Sequence, residues 1–267
     1  TLGQEFGGFF RQIHLGAQRI RAVFPRLEEL ALGGTALGTG LNTHPEFAAK
    51  TAAALADRLG VPFRPASDFF EAIAARDVQV ELMGALNTVA TTLLKIGNDL
   101  RLLSSGPRTG FGEILLPELQ PGSSIMPGKV NPVILEMVNQ ACAHVMGKHL
   151  AVTIAGQNSP LQLNIMMPLL AHETLSSLDL LTRCCDTLRL SCVDGIVADG
   201  RRCSEQVERS LALVTPLALK IGYDKAAALS KRALAEDKTI RQLVMEEKLL
   251  SENELNAILD PRSMAGL

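Results

Sequence analysis

The sequence contains no tryptophan and one tyrosine among 267 residues, and aromatic residues make up only 4% of it. Because aromatic residues favour strands, their scarcity beside abundant leucine and alanine argues against an all-β protein. No apolar run approaches the roughly 20 residues that a bilayer-spanning helix needs, so a membrane protein is not expected. Runs of lysine and arginine are also absent and the net charge is −2, so nothing indicates a nucleic-acid-binding surface.

Spacings typical of metal ligands are missing as well. The five cysteines form no C-x-x-C pair, and the five histidines form no H-x-x-x-H or H-x-H pair, so no metal site is expected. An odd number of cysteines in a chain of this size predicts free, mostly buried thiols, which fits a cytoplasmic location best. Thr1 leads into TLGQEFGGFF with no basic region or compact apolar run, so no signal peptide is predicted. The absence of an initial Met is typical of a fragment or a processed product.

The apolar residues are spaced for helices. From Leu82 to Leu103 they recur at alternating steps of four and three, the heptad pattern of helices that pack at a shallow angle. A similar stripe runs from Phe6 to Leu27, where Pro25 is expected to kink or break the helix. Its predicted members are Phe6, Phe10, Ile13, Ala17, Ile20, Phe24 and Leu27. Further helices are predicted after Pro132 and from about Pro168 to Cys192, so the predicted fold is all-α, built on a long helical bundle.

The pattern changes towards the end of the chain, where the predicted helices become short and well capped. Ser251-x-x-Glu254 is a capping-box pattern, and Asp260-Pro261 is expected to end the last helix. We therefore expect two domains: a central helical bundle over residues 1–195, incomplete at its N-terminus, and a small C-terminal helical domain over residues 196–267.

A Gly- and Pro-rich connection at about residues 104–132 interrupts the bundle pattern. Connections of this length inside a domain are often functional, although a plain surface connector remains the alternative. Its last part, GSSIMPGKVN, concentrates groups that can bind an anion. These are the amides near Gly122 and Gly128, the hydroxyls of Ser123 and Ser124, the ammonium of Lys129 and the carboxamide of Asn131. A dicarboxylate would need such groups, but a turn with a solvated lysine has the same composition.

This segment, followed after four residues by Glu136, resembles the mobile-loop motif of the fumarase/aspartase superfamily. The stretches TLGQEFGG, GGTALGTGLNTHPEF, NDLRLLSSGPR, LQLNIMMP and IGYDKAA are also similar to that family, so the resemblance covers essentially the whole chain. It implies a five-helix central bundle, a homotetramer with a twenty-helix core, and active sites that are each built from three subunits. It implies a small dicarboxylate substrate and no organic cofactor or metal.

The resemblance also implies roles for single residues. Ser123 would be the base that removes a proton from the carbon beside a substrate carboxylate, giving an aci-carboxylate intermediate. Because a serine hydroxyl is a weak base, amides around Gly122 and Ser124 would have to stabilise its anion. Lys129 and Asn131 would hold the substrate carboxylate, with Ser124 beside them.

Glu136 would pair with a histidine, although an acidic residue in the first turn of a helix is favourable in any case. That histidine and a Thr/Ser-rich substrate-binding segment are expected upstream of Thr1. This chain is therefore expected to supply one third of a composite site and to turn over little substrate alone.

The choice of substrate rests on finer similarities. ELALGGTALGTGLNTHPEF is more similar to a fumarase, whereas NDLRLLSSGPR, LPELQ and LQLNIMMP are more similar to an aspartase. Because the aspartase-like stretches flank the catalytic loop, we expect an aspartate ammonia-lyase, with fumarate hydratase as the alternative. Met167 departs from the aspartase pattern, which usually has Glu there. A helical assembly module without a complete site is the third possibility.

Overall fold

The computed structural model describes all residues from Thr1 to Leu267 and is all-α, as predicted. The four long helices are α1 (Leu2–Leu27), α4 (Asp77–Leu103), α5 (Val133–Gly156) and α6 (Met167–Ser191). The shorter helices are α2 (Phe47–Leu59), α3 (Phe69–Ala74), α7 (Gly200–Arg209), α8 (Val214–Ile221), α9 (Tyr223–Glu236), α10 (Ile240–Glu246), α11 (Glu252–Ile258) and α12 (Pro261–Met264). Two-residue strands β1 (Glu29–Leu30) and β2 (Arg64–Pro65) pair in parallel, and β3 (Ile114–Leu115) pairs antiparallel with β4 (Val197–Ala198). None of the helices combines the length and apolar character that crossing a membrane requires.

The chain divides into two units. One comprises residues 2–101 and 116–195, and the other comprises residue 1, residues 102–115 and residues 196–267. The structure therefore groups the first part of the long connection with the C-terminal helices, a grouping that the sequence did not suggest. The expected domain boundary at residue 195 stays a prediction.

The heptad stripe of α4 is buried largely as predicted. Leu82, Leu86, Leu93, Ile96 and Leu100 are each at most 6% exposed. Burial of this stripe stabilises the contact of α4 with neighbouring helices. Each fully buried leucine or isoleucine contributes about 1.5–3 kcal/mol to the free energy of folding.

Helix α1 buries a different face from the predicted one. Phe9, Gly16 and Val23 are its buried residues, at intervals of seven. The predicted stripe residues Phe10 and Phe24 are 70% and 48% exposed, so that prediction is wrong for this chain. The cause is a close approach of α1 to α4 through a glycine, which periodicity of large apolar residues does not reveal.

Two prolines also differ from their predicted roles. Pro25 lies in the last turn of α1, and the helix continues to Leu27. Because the proline is so close to the end of the helix, the loss of one backbone hydrogen bond is tolerated. Asp260 and Pro261 do not end α11, which stops at Ile258, but begin α12. The Arg262 N–H donates to Asp260 Oδ1 at 3.1 Å, and proline suits the first position of a helix.

Helix α5 runs antiparallel to α4, and α6 runs antiparallel to α5. Asn139 of α5 donates to Asn98 of α4 at 2.8 Å. A Cβ on Gly156, at the far end of α5, would meet Val80 near the start of α4 at 2.8 Å. The start of α5 therefore lies beside the C-terminal part of α4.

The cysteines are free, as predicted, and three of the five are buried. Cys142 of α5 and Cys184 of α6 lie against each other in the α5–α6 contact. Their hydrogen bond, together with burial, raises the pKa of the Cys142 thiol, and the same bond lowers the pKa of Cys184. Both thiols act as small core residues.

The C-terminal helices enclose a core of their own, centred on Leu217, Leu243 and Leu255, each 0% exposed. The predicted capping box is confirmed, since the Ser251 hydroxyl accepts from the Glu254 N–H and the Glu254 carboxylate accepts from the Ser251 N–H. Within the same unit, Arg202 of α7 donates to the carbonyl oxygen of Gly110 at 2.8 Å. The first part of the long connection is therefore held by α7.

Candidate active site

The segment from Gly122 to Asn131 forms a closed loop. The Gly122 N–H donates to the Lys129 carbonyl at 2.8 Å, and Asn131 Nδ2 donates to the Gly122 carbonyl at 2.7 Å. We call these two hydrogen bonds the neck of the loop. The residues between them project outwards, and Ile125 at the tip is 87% exposed.

The two glycines of the loop serve different needs. Gly128 has φ +77°, a conformation that favours glycine, with open space around it. Gly122 has no such φ, but a Cβ there would lie 2.2 Å from the Lys129 carbonyl oxygen. Gly122 is thus required by the close approach of the two chain segments in the neck.

The Ser123 hydroxyl lies immediately beside the neck and is half-buried. Its Oγ accepts hydrogen bonds from the N–H groups of Ile125 and Met126, both at 3.1 Å. The sequence predicted amides around Gly122 and Ser124 in this role, and the structure places other amides there. Two amide donors stabilise negative charge on an oxygen. The signal for them was a serine at the start of a tight turn, where its hydroxyl commonly accepts from the amides two and three residues later.

Ser124, Lys129 and Asn131, the other predicted residues of the loop, lie close to Ser123 in the sequence. None of them forms a hydrogen bond with its hydroxyl. Ser124 and Lys129 are exposed. The Lys129 ammonium has no ion pair, so it is free to meet an anion. The Asn131 carboxamide is half-buried and already donates one hydrogen bond within the neck.

Glu136 lies in the first turn of α5. Its backbone N–H donates to the Pro132 carbonyl at 3.1 Å. The carboxylate is half-buried and forms neither a hydrogen bond nor an ion pair, including with the chain's five histidines. The structure therefore leaves the carboxylate available, in a position where the helix dipole favours its charge.

The same unit contains two clefts. A small cleft beside Asn131, with a volume of about 10 Å³, is lined mainly by apolar side chains, including Leu116 and Leu135. A wider one of about 440 Å³ lies between α5 and α6 and is lined by residues that include His144, Lys148, His172 and Glu173. The sequence did not predict this second group.

In that second cleft, Lys148 Nζ lies 3.4 Å from Glu173 Oε2, with both side chains under 20% exposed. The lysine also donates to the Ser176 hydroxyl at 2.5 Å. These mutual contacts satisfy both charges, which makes the cluster a structural connection between α5 and α6. The Ser123 loop remains the candidate site.

Two family models match the chain. One described as "Lyase" matches residues 1–147, and one described as "Fumarase C C-terminus" matches residues 213–266. Fumarate hydratase 2 of Arabidopsis thaliana is 48% identical over the whole chain, which spans 53% of that protein. The class II fumarate hydratase of Corynebacterium efficiens is 50% identical over 99% of the chain and 57% of its own length. The chain thus spans about half the length of the curated relatives that it matches.

Solved structures give the same picture. A "fumarate lyase:delta crystallin" from Brucella melitensis, bound to cobalt, has a TM-score of 0.95 and 44% identity, covering 99% of this chain and 57% of its own. The class II fumarase from Schistosoma mansoni has a TM-score of 0.92 and 37% identity, covering 98% of this chain and 58% of its own.

Proposed function

The chain belongs to the fumarase/aspartase superfamily of lyases, and from that membership we propose that it carries the proton-abstracting part of a fumarate hydratase, which interconverts fumarate and malate. The stretches around the loop led us to expect an aspartate ammonia-lyase. The relatives favour the alternative, because proteins about half identical over the whole chain are named fumarate hydratases.

The observation that carries the proposed chemistry is the pair of amide donors on Ser123 Oγ. In the direction from malate, the Ser123 alkoxide takes a proton from the methylene carbon next to one carboxylate. The electron pair moves into that carboxylate to form an aci-carboxylate. It then returns to form the carbon–carbon double bond while the hydroxyl on the neighbouring carbon, protonated by a general acid from outside this loop, leaves as water. The amides of Ile125 and Met126 support this step because they lower the free energy of the alkoxide.

Four further groups complete the proposal. The exposed Lys129 ammonium, which has no acidic partner, attracts a substrate carboxylate. Asn131 offers its second amide hydrogen to the same group, and the exposed Ser124 hydroxyl offers a further hydrogen bond. Glu136 holds a histidine supplied from outside this loop.

We also propose that copies of the chain associate, as a homotetramer with composite sites. The support is the apolar stripe of α1 that the chain itself leaves uncovered, with Phe10 70% and Phe24 48% exposed. Exposed apolar stripes of this kind mark association surfaces. A cytoplasmic location stays a prediction, since relatives at 47% identity include mitochondrial fumarate hydratases such as that of Rattus norvegicus.

The test is the absorbance of fumarate, followed with malate and with aspartate as substrates for the protein at its natural length. We expect turnover of malate, and a loss of about 10²–10⁴-fold in kcat on Ser123→Ala, the usual contribution of a positioned base. Ser263→Ala, at an exposed position of α12, is the control and should match the parent. Retained turnover by Ser123→Ala would remove serine as the base. Turnover of aspartate alone would restore the ammonia-lyase, and turnover of neither would favour the helical assembly module.

A further inference from the structure

The Asn131 carboxamide makes a contact that a role in substrate binding does not account for. Its Nδ2 donates to the Gly122 carbonyl at 2.7 Å, the shorter of the two hydrogen bonds in the neck. Both residues lie outside the exposed part of the loop, one at each end. The bond therefore determines how the loop is attached, and not how its tip is shaped.

Asn131 is itself attached to a rigid element. Its carbonyl accepts from the Val133 N–H at 2.9 Å, and α5 begins at Val133 with Pro132 as its N-terminal cap. The carboxamide thus connects Gly122 to the start of a long helix. Ser123 follows Gly122 directly, so the same bond constrains the backbone that carries the Ser123 hydroxyl.

The neck leaves no room for relaxation at Gly122. A Cβ there would lie 2.2 Å from the Lys129 carbonyl oxygen and 3.1 Å from the Asn131 amide nitrogen. Both are backbone atoms, which cannot move aside as a flexible side chain can. Any side chain at this position must open the contact that Asn131 closes.

We propose that Asn131 is a positioning residue, whose carboxamide holds Gly122 against the start of α5 and thereby orients the Ser123 hydroxyl. The catalytic part of this inference rests on the proposed function, whereas the structural part does not. A positioned group loses rate steeply when it is displaced: about 1 Å costs on the order of 10²-fold.

The first experiment measures the loop directly. Trypsin cleaves after Lys129, which is exposed, and mass spectrometry follows cleavage of the Lys129–Val130 bond in the protein at its natural length. Asn131→Asp keeps the shape of the side chain but removes the donor, so cleavage should accelerate about five-fold, as expected for one lost hydrogen bond. Gly122→Ala should act in the same direction without altering the carboxamide. Asn253→Ala, at an exposed position of α11, is the control and should match the parent.

Cleavage of Asn131→Asp at the parental rate would overturn the proposal. Should Gly122→Ala fail to fold, as circular dichroism would show, Asn131→Asp decides the matter alone.

The second experiment separates positioning from substrate binding in the protein at its natural length. If Asn131 positions the loop as well as binding substrate, Asn131→Asp should lower kcat about 10²-fold in addition to raising KM. A raised KM with an unchanged kcat would show that Asn131 only holds substrate, and would overturn the catalytic part. Absence of fumarate hydration in the parent would refute the proposed function, while the cleavage rates would still decide whether Asn131 closes the loop.

Discussion

Gly16 in α1 offers a sharp test of how the bundle packs. Alanine is the better helix former, yet we expect Gly16→Ala to destabilise the protein. A Cβ at this position would lie 2.9 Å from Val89 Cγ2 in α4. Because a β-branched side chain in a helix has one strongly preferred rotamer, the valine cannot turn away, and the two helices must separate.

The magnitude follows from two opposing terms. Replacing glycine by alanine inside a helix gains about 1 kcal/mol in propensity, and overpacking a well-packed contact costs about 1–3 kcal/mol. Gly16→Ala should therefore lower the free energy of unfolding by about 0–2 kcal/mol. Gly7 lies in the same helix, and a Cβ added there would have nothing within 4 Å of it, so Gly7→Ala should raise that free energy by about 0.5–1 kcal/mol. The difference between the two variants isolates the packing term.

Urea unfolding followed by far-ultraviolet circular dichroism measures both variants, with equal m-values required for comparison. Combining Gly16→Ala with Val89→Ala should recover about 1 kcal/mol relative to the sum of the single changes, because the contact that clashes is removed. Two results would refute the reasoning: Gly16→Ala as stabilising as Gly7→Ala, or a double variant whose energy is the simple sum.

Two further predictions concern the C-terminal unit. Arg202→Ala removes two charged donors, one of them to the Gly110 carbonyl at 2.8 Å, so hydrogen exchange around Gly110 should accelerate about ten-fold or more. Arg201→Ala is the control, since that side chain is 78% exposed, and an equal effect of both changes would contradict the assignment. The hydrogen bond from Ser251 lowers the pKa of Glu254, so the capping box stabilises fully above about pH 5 and weakens as pH falls through the lowered pKa. The difference in thermal midpoint between the parent and Ser251→Ala should accordingly narrow on acidification, and a difference that widens would show the opposite linkage.

For the substrate, similarity over short stretches and similarity over the whole chain indicate different enzymes. The stretches around the loop favoured an aspartase, whereas relatives matched over the whole chain are named fumarate hydratases. Both reactions begin with proton abstraction beside a carboxylate, so the residues that serve this step carry no information about the leaving group. Discrimination between ammonia and water must lie in other contacts to the substrate.

Much of the candidate site was predictable because its motif is contiguous. The order of Ser123, Lys129, Asn131 and Glu136 in the chain predicted the loop and the chemistry that we propose for it. The sequence did not reveal which amides reach the Ser123 hydroxyl, or that the Asn131 carboxamide already serves Gly122. These depend on how a ten-residue segment closes on itself, and several closures are compatible with the same glycines and prolines.

The sequence by itself determined the class of fold, the approximate helix bounds and the capping box, because each depends on residues within about one helical turn of one another. Only the tertiary structure decided which face of α1 is buried and which unit holds residues 102–115. The first depends on a single glycine that lets two helices approach closely. The second depends on hydrogen bonds between Arg202 and a segment about ninety residues earlier. Periodicity records the size and spacing of side chains along one element, whereas these decisions depend on contacts between elements far apart in the chain.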